Sequence, residues 1–319
     1  MDQLAIADRR QLRRKLGFWR IACVLLILAA AVVAYLWATA ETAGLAARPQ
    51  IARVSISGII QDDRELLERL DRIAKADGVK GLIVTISSPG GTTYGGETIY
   101  KAIRKVAEKK PVVSDVRTLA ASAGYMIAIA GDQIVAGETS ITGSIGVLFQ
   151  YPQIKTLLDR VGVSLETIKS APLKAEPNPF HPPSEEAKAV IQSMIDDSFN
   201  WFVDLVAERR KLARPDAVRL ADGRIFTGRQ ALKEKLVDVL GGDDEIKAYL
   251  KSRKVNVDLP VVDWEAPNNS FPFGLGSMAA EWVKALGYEV FPALGGLEKL
   301  SGEKLFLDGL LSVWQVGSN

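Results

Sequence analysis

The pattern of apolar and polar residues divides the chain into one long apolar segment and a later series of short alternating ones. Residues 21–40 contain no charge, and twenty residues are about the length that crosses a hydrocarbon core as a helix. After residue 50, short apolar or β-branched runs alternate with segments of helical period. Strands are predicted at 51–60, 81–86, 111–116 and 133–137, and helices at 62–77 and 96–109. This alternation predicts an α/β fold with a mostly parallel sheet and helices on its faces.

The regular pattern ends in two places. The run 81–86 stops at the sequence SSPGG, and residues 118–131 predict a turn followed by a helix. Five prolines among residues 170–183 predict an ordered loop or arm without regular structure.

The second half of the chain is predicted to hold one long helix. Ser184 has the position of an N-cap, and the helix is expected to run to about residue 212. Its predicted apolar stripe consists of Ile191, Met194, Ile195, Phe202 and Val206. Residues 224–242 then predict a strand, a helix and a glycine stop, whereas 264–319 form a tail of uncertain order without a clear period.

Charge is concentrated at the start of the chain. The formal net charge is only +2, which gives no reason to expect a nucleic acid partner, but residues 1–20 carry six basic and two acidic side chains. This basic segment before the apolar run predicts a transmembrane anchor at 21–40, a cytoplasmic N-terminus and an exported remainder. A cleaved signal peptide is the alternative, since residues 38–40 resemble a cleavage site, although its apolar core is usually about 7–15 residues long. A linker at 41–50 and a domain at 51–263 are expected to follow.

The scarcity of cysteine and histidine limits the possible chemistry. The chain has a single cysteine, Cys23, which lies inside the apolar run. Because a disulfide needs two cysteines and a thiolate metal site several, both are excluded within the chain. His181, the one histidine, excludes zinc sites that need two or three imidazoles. We therefore expect neither a metal nor a cofactor.

Three short stretches could carry chemistry, and each has an ordinary structural alternative. The glycines of SSPGG (87–91) can present free N–H groups to a ligand, or they can form a simple turn. Ser122, among small residues, is either a nucleophile at a helix start or a helix-capping serine. Lys174, flanked by apolar residues and prolines, is either a desolvated general base or a solvated surface lysine. His181 is a second candidate base, and Lys169 is read as the exposed end of a strand.

Five motifs in order along residues 51–255 carry a resemblance to a known family. They are SPGG at 88–91, ASAGY at 121–125, TGSIGV at 142–147, KSAPLK at 169–174 and FTGRQALKEKLVD at 226–238. On these motifs the chain resembles the S49 serine peptidase family, in particular its short bacterial signal peptide peptidases A. The resemblance implies a ClpP/crotonase-like fold and a homo-oligomer, octameric in the short type.

The same resemblance assigns roles to individual residues. It implies that Ser122 is the nucleophile and Lys174 the general base, which a neighbouring subunit could donate. It implies that Ser144 orients the lysine, and that the Gly91 and Ala123 amides form the oxyanion hole. Many members of the family have glycine at the position of Ala123. The difference matters only if the backbone at this residue needs a positive φ.

The function implied by the resemblance is that of a membrane-anchored serine endopeptidase. Its expected substrates are remnant signal peptides, and its expected location is the outer side of the bacterial inner membrane. Two alternatives stay open at this point: a non-catalytic membrane scaffold of peptidase descent, and an acyl-CoA enzyme on the crotonase fold.

Overall fold

The structure is a computed structural model that describes residues 19–30, 32–33, 48–265 and 310–313. Residues 19–30 and 32–33 are helical, while residues 1–18, 31, 34–47, 266–309 and 314–319 lie outside the described residues. Among the described residues, no helix combines the length and the apolar character that a membrane crossing requires. The predicted anchor at 21–40 is only partly described, and it stays a prediction.

The described chain beyond residue 48 forms one mixed sheet with helices around it. Its strands are β1 (Gln50–Ile60), β2 (Val79–Thr92), β3 (Val112–Ala121), β4 (Gln133–Ala136), β5 (Ile141–Gly143), β6 (Ile225–Thr227), β7 (Val239–Leu240), β8 (Val261–Asp263) and β9 (Leu311–Val313). Its helices are α1 (Arg64–Lys75), α2 (Thr93–Ala107), α3 (Ala123–Ala128), α4 (Lys155–Arg160), α5 (Glu185–Arg210), α6 (Arg214–Leu220), α7 (Gly228–Lys233) and α8 (Asp243–Ser252).

The sheet is mostly parallel, as the sequence predicts. The main strand order is β6-β5-β3-β2-β1-β8, with β4 also pairing β3, β7 pairing β4 and β9 pairing β2. The pairs β2–β3, β3–β4, β3–β5, β1–β8 and β4–β7 are parallel, whereas β5–β6 and β2–β9 are antiparallel. Neighbouring parallel strands end at the same edge of a sheet, so the segments that follow β2 and β3 lie side by side.

The centre of the sheet is apolar on the positions that face α8. Ile83, Val113 and Val135 come from three adjacent strands and pack in one cluster with Ile246 and Leu250 of α8. Each is almost completely buried, which is worth roughly 1.5–3 kcal/mol for a side chain of this size. This packing fixes the strands whose ends carry the candidate site.

Two predicted boundaries at this edge are wrong. β2 does not stop before SSPGG but continues to Thr92, because Ser88 still pairs with Ala120 of β3 and β9 pairs with 90–92. Likewise β3 continues to Ala121, where a turn is expected, because it pairs with β5 in that region. A local pattern cannot reveal such pairing partners, since they come from distant parts of the chain.

The proline-rich segment has no regular structure, in agreement with the sequence. Ser184 is the N-cap of α5, and its hydroxyl accepts a hydrogen bond from the Ala187 N–H at 3.1 Å. The predicted stripe of α5 is confirmed only in its second half. Phe202 and Val206 are fully buried, whereas Met194 is 48% exposed.

Candidate active site

Ser122 occupies the sharp junction between β3 and α3. Its backbone has φ 58° and ψ −119°, its side chain makes no capping hydrogen bond, and only 1% of its surface is exposed. A non-glycine residue in such a conformation costs about 1–3 kcal/mol and persists only where the surroundings hold it. Ser122 N–H donates to Gly143 O at 2.8 Å, and Met126 N–H donates to Ser122 O at 2.9 Å. The helix-capping interpretation is therefore wrong, and the geometry is that of a serine presented at a strand-to-helix turn.

Ala123 follows Ser122 without backbone strain. It is the first residue of α3, it is fully buried, and it is not among the residues with positive φ. The departure from glycine at this position therefore needs no special backbone conformation. Its amide lies directly after Ser122, at the free N-terminal end of a helix, where N–H groups have no partner within the helix.

The SPGG segment passes beside Ser122 as extended chain. The Ser88 hydroxyl accepts from the Gly90 N–H at 3.1 Å and donates to Gly58 O at 2.7 Å, which holds the segment in place. Gly90 has φ +111°, and a Cβ added there would lie 3.0 Å from Ser122 Cβ. A Cβ on Gly91 would lie 1.9 Å from Ile60 O. Glycine is therefore required at both positions.

The TGS motif is joined to Ser122 through its backbone. Thr142 Oγ1 donates to Ala120 O at 2.7 Å, and Gly143 O accepts from Ser122 N–H. Ser144 has φ 50°, and its N–H donates to Arg224 O at 2.7 Å. Its nearly buried hydroxyl makes no hydrogen bond to any residue that the structure describes. The Ser144 hydroxyl is therefore available for a hydrogen bond to a group from outside the described chain.

Neither candidate base makes a hydrogen bond to Ser122 among the residues that the structure describes. Lys174 lies in a turn of the proline-rich arm, is exposed, and has no hydrogen bond or ion pair from its side chain to the described residues. The expected desolvation of its amine is thus not found, because none of the elements that the structure describes covers the arm there. His181 Nδ1 lies 3.0 Å from Pro182 O, and Nε2 lies 3.0 Å from Glu176 Oε1. Both ring nitrogens of His181 are thus engaged within the arm.

A buried carboxylate organises this arm. Glu176 pairs with Lys169 and with His181, and its side chain is only 5% exposed. The hydrogen bond from Lys169, together with desolvation that acts in the opposite direction, leaves the pKa of Glu176 below its ordinary value. Lys169 is 18% exposed and lies outside any strand, so the reading of it as an exposed strand end is wrong. Glu176 was missed by the sequence analysis; its place two residues after Lys174 was the available signal.

The tail contributes the other missed element of the site. β9, in a region whose sequence has no clear period, pairs with Gly90–Thr92, and Ser312 Oγ lies 2.6 Å from Ser122 Oγ. The short apolar, partly β-branched run LLSV at 310–313 was the only local signal for this strand.

Comparison with known proteins supplies the family. The profile of Peptidase family S49 matches residues 104–258, and that of Clp protease matches residues 52–139. A protein named as a protease in Methanocaldococcus jannaschii is 35% identical over 247 residues, covering 76% of this chain and 77% of its own. The chain belongs to peptidase family S49. A protein of Enterococcus faecium named as a signal peptide peptidase SppA is 34% identical, covering 74% of this chain and 73% of its own.

Further relatives of this S49 chain are more distant. The chloroplastic serine protease SPPA of Arabidopsis thaliana is 30% identical over 67% of this chain and 32% of its own length. Family membership supports a serine protease and decides against an acyl-CoA enzyme. The Clp protease match over β1 to β4 confirms the expected ClpP-like fold with its mostly parallel sheet.

Proposed function

We propose that this S49 protease is a membrane-anchored endopeptidase in which Ser122 attacks peptide bonds and Lys174 of a neighbouring subunit is the general base. The observation that carries the proposal is the strained, buried Ser122 between the Gly90–Gly91 segment and the TGS motif. A backbone conformation of this kind, beside amides on close-packed glycine backbone, is what acyl transfer requires.

The exposed arm supports donation of the lysine between subunits. Within one chain, Lys174 is exposed and Ser144 has an unused hydroxyl, so each lacks the partner that the proposed chemistry gives it. The segment 155–168 before the arm and the first half of α5 after it also expose large apolar side chains: Leu157, Val161, Val163, Leu165, Ile168, Val190 and Met194. Several exposed apolar side chains on one stretch indicate a surface that a second protein covers. A homo-oligomer would cover this surface and desolvate the lysine amine.

The mechanism follows from these positions. Ser122 Oγ attacks the carbonyl carbon of the bound peptide while the uncharged Lys174 amine accepts its proton. The tetrahedral oxyanion accepts hydrogen bonds from the Gly91 and Ala123 amides, each donor being worth about 2.7–4 kcal/mol in serine proteases. The lysine then protonates the leaving amine, and water releases the acyl group from Ser122. Because the lysine must be uncharged, activity should increase as the pH rises.

The substrate and the location follow from the N-terminal helix and the cleft. The described helical residues 19–30 expose Trp19, Leu26 and Ile27, a surface that suits lipid better than water. An anchor there would hold the protease at the outer face of the inner membrane, where remnant signal peptides collect. Such peptides are long and apolar, and an extended strand could pair with the strand edge beside Ser122 in the place that β9 takes in the structure.

A mixing experiment tests the lysine and its origin together. Ser122→Ala and Lys174→Ala should each abolish cleavage of a synthetic signal peptide, while Lys155→Ala, which changes an exposed lysine of α4, should not. If purified inactive variants are unfolded, refolded together at equal amounts and assembled at random, about a quarter of the sites regain both groups, as expected for head-to-tail interfaces. Wild-type activity in the Lys174→Ala variant would reject the base, and no recovery on mixing would reject donation between subunits.

Location is tested separately. A protease added to intact spheroplasts should digest the catalytic domain but leave an epitope at the N-terminus protected. Protection of both ends would refute an extracytoplasmic domain. Release of the protein by carbonate extraction would refute the anchor.

A further inference from the structure

Lys174 lies on a tight turn whose backbone is strained at the next residue. Its N–H donates to Ala171 O at 3.1 Å, and the Glu176 N–H donates to Leu173 O at 3.3 Å. Ala175, between Lys174 and Glu176, has φ 58°, a left-handed conformation that is uncommon for a residue other than glycine. Such a conformation persists only where the surrounding structure holds it. The direction in which the chain leaves Lys174 therefore depends on contacts that its neighbours make.

The contacts that hold this turn meet at one carboxylate oxygen. Glu176 Oε1 accepts hydrogen bonds from Lys169 Nζ and, at 3.1 Å, from Asn178 Nδ2. His181 Nε2 lies 3.0 Å from the same oxygen. Lys169 comes before Lys174 in the sequence, whereas Asn178 and His181 come after it. A single side chain thus joins the two sides of the turn.

The later part of the arm is joined to the segment before α4. Gln153 Nε2 donates to Asn178 O at 2.9 Å, and Ile154 N–H donates to Pro179 O at 2.8 Å. Asn178 therefore contacts Gln153 with its backbone carbonyl and Glu176 with its side-chain amide. These hydrogen bonds form a continuous path from residues 153–154 to the turn. A change at the Glu176 side chain should accordingly move the turn.

Stability alone does not explain a carboxylate at this place. The Glu176 side chain is only 5% exposed, and its buried Oε2 makes no hydrogen bond to any residue that the structure describes. A buried oxygen without a partner is costly, and a buried ion pair is often no more stabilising than apolar residues of the same volume. The ion pair with Lys169 does provide a defined geometry and a balance of charge.

We propose that Glu176 is a positioning residue that fixes the turn presenting Lys174, while Lys169 balances its charge. The inference rests on the proposed function, because both residues act through Lys174, and it adds them to the same site. An unbalanced carboxylate near Lys174 would favour its charged ammonium form, which cannot accept the proton of Ser122. An unbalanced ammonium at Lys169 would favour the uncharged amine. The pair therefore gives the turn a fixed shape without either bias.

The other charged groups around the arm have their own partners. Among the described residues, Lys169 and His181 are the titratable side chains that contact Glu176. The neighbouring helices carry pairs within themselves: Lys155 with Asp159 in α4, and Lys188, which is also near Tyr151, with Glu185 at the start of α5. A charge effect on the base should thus come first from the Lys169–Glu176 pair, with His181 as the group to control for.

The experiment measures kcat and KM of the assembled enzyme with a synthetic signal peptide between about pH 6 and about pH 10. Glu176→Ala should lower kcat about a hundredfold with little change in KM, because the turn is no longer held. Glu176→Gln keeps the volume and should lower kcat about tenfold, while the rise of activity with pH moves about half a unit to lower pH. Lys169→Met should move this rise about half a unit to higher pH. The double variant should return the rise to its wild-type position with kcat still low.

Controls separate a charge effect from loss of structure. The same opposite displacements should appear in a His181→Gln background, which removes the imidazole. Glu185→Gln changes a carboxylate whose side chain is 89% exposed and should keep the wild-type kcat and pH profile. Tm and oligomeric state are measured for every variant, and if Glu176→Ala does not fold, Glu176→Gln and Lys169→Met decide.

The outcomes distinguish this inference from the proposed function. Wild-type kcat and pH profiles in Glu176→Gln and Lys169→Met, with Lys174→Ala inactive, would overturn the inference and leave Lys174 as the base. A lower kcat without any displacement of the pH profile would also overturn it, since Glu176 would then be structural only. Activity retained in Lys174→Ala would overturn both.

Discussion

Replacing Gly91 by alanine should remove one donor of the oxyanion hole by moving the backbone. The added Cβ would lie 1.9 Å from Ile60 O and 2.6 Å from two other backbone atoms of the same residue. These neighbours are main chain and cannot rotate away like the end of a side chain. To reach even 3.0 Å from the carbonyl oxygen, the shortest separation that real Cβ atoms show, the two strands must separate by about 1.1 Å at this point.

The size of the effect follows from this displacement. An amide moved by about 1 Å no longer donates to the oxyanion with good geometry, and a misplacement of that size can cost about a hundredfold in rate. Complete loss of one oxyanion donor costs roughly a hundred- to a thousandfold in kcat, or about 2.7–4 kcal/mol. Overpacking costs typically 1–3 kcal/mol of folding stability. We therefore expect kcat of Gly91→Ala to fall by about two to three orders of magnitude with a modest decrease in Tm.

The assay is steady-state cleavage of a fluorogenic signal peptide, with Tm measured on the same preparation. Gly242→Ala is the matched control, because a Cβ there meets no atom within 4 Å and the position is outside the site. Its kcat should equal that of wild type. A folded Gly91→Ala protein with wild-type kcat would refute the role of this amide, and a large rise in KM with unchanged kcat would show that it contributes only to binding.

Three further predictions concern the surroundings of the site. Ser144→Ala should lower kcat about ten- to a hundredfold with little change in KM, since the hydroxyl only orients the base; an unchanged pH–rate profile and kcat would contradict this role. Lys169 lowers the pKa of Glu176, so the ion pair should stabilise the arm above the ordinary pKa of 4.5 and release it as the pH falls through the lower folded value. The protection of the arm's amides against hydrogen exchange, compared at pH 7 and pH 3, measures this loss of stability. The arm of Glu176→Gln should be as weakly protected at pH 7 as the wild-type arm is at pH 3. Tyr125→Phe should cost about 1–3 kcal/mol in chemical denaturation, because the buried phenol donates to Leu236 O at 2.9 Å; an exposed Tyr94→Phe control should cost almost nothing.

The main elements of the fold were predictable because their own residues determine them. The β-branched alternation of β1, the apolar runs at the centres of β2 and β3, and the N-cap at Ser184 are all local signals. The continuation of β2 through SSPGG was not predictable, since glycine and proline are poor strand formers. It is extended because Ser88 pairs with Ala120 and because β9 pairs with the glycines. Those partners are more than thirty and two hundred residues away along the chain.

The candidate site likewise has residues that the sequence predicts and features that it does not. Ser122, Gly91 and the TGS motif could be found in the sequence because a strained turn and a close backbone approach leave small residues in characteristic order. The conformation of Ser122 could not, because its positive φ depends on a hydrogen bond to Gly143, which comes from another strand. The environment of Lys174 depends on whatever covers the arm, and no local pattern contains that information.

Under the proposed assignment, the described chain carries the nucleophile and the oxyanion amides, but its base is not desolvated within one chain. The turn at Ser122 is held by backbone hydrogen bonds from two directions, so the strain of about 1–3 kcal/mol is offset before any substrate arrives. The lysine that would accept the proton lies on an arm with exposed apolar side chains, so under the proposed arrangement its desolvation and its approach to Ser122 both come from assembly. Assembly would then begin the hydrolysis of bound peptides, which is why activity should be lost in Lys174→Ala.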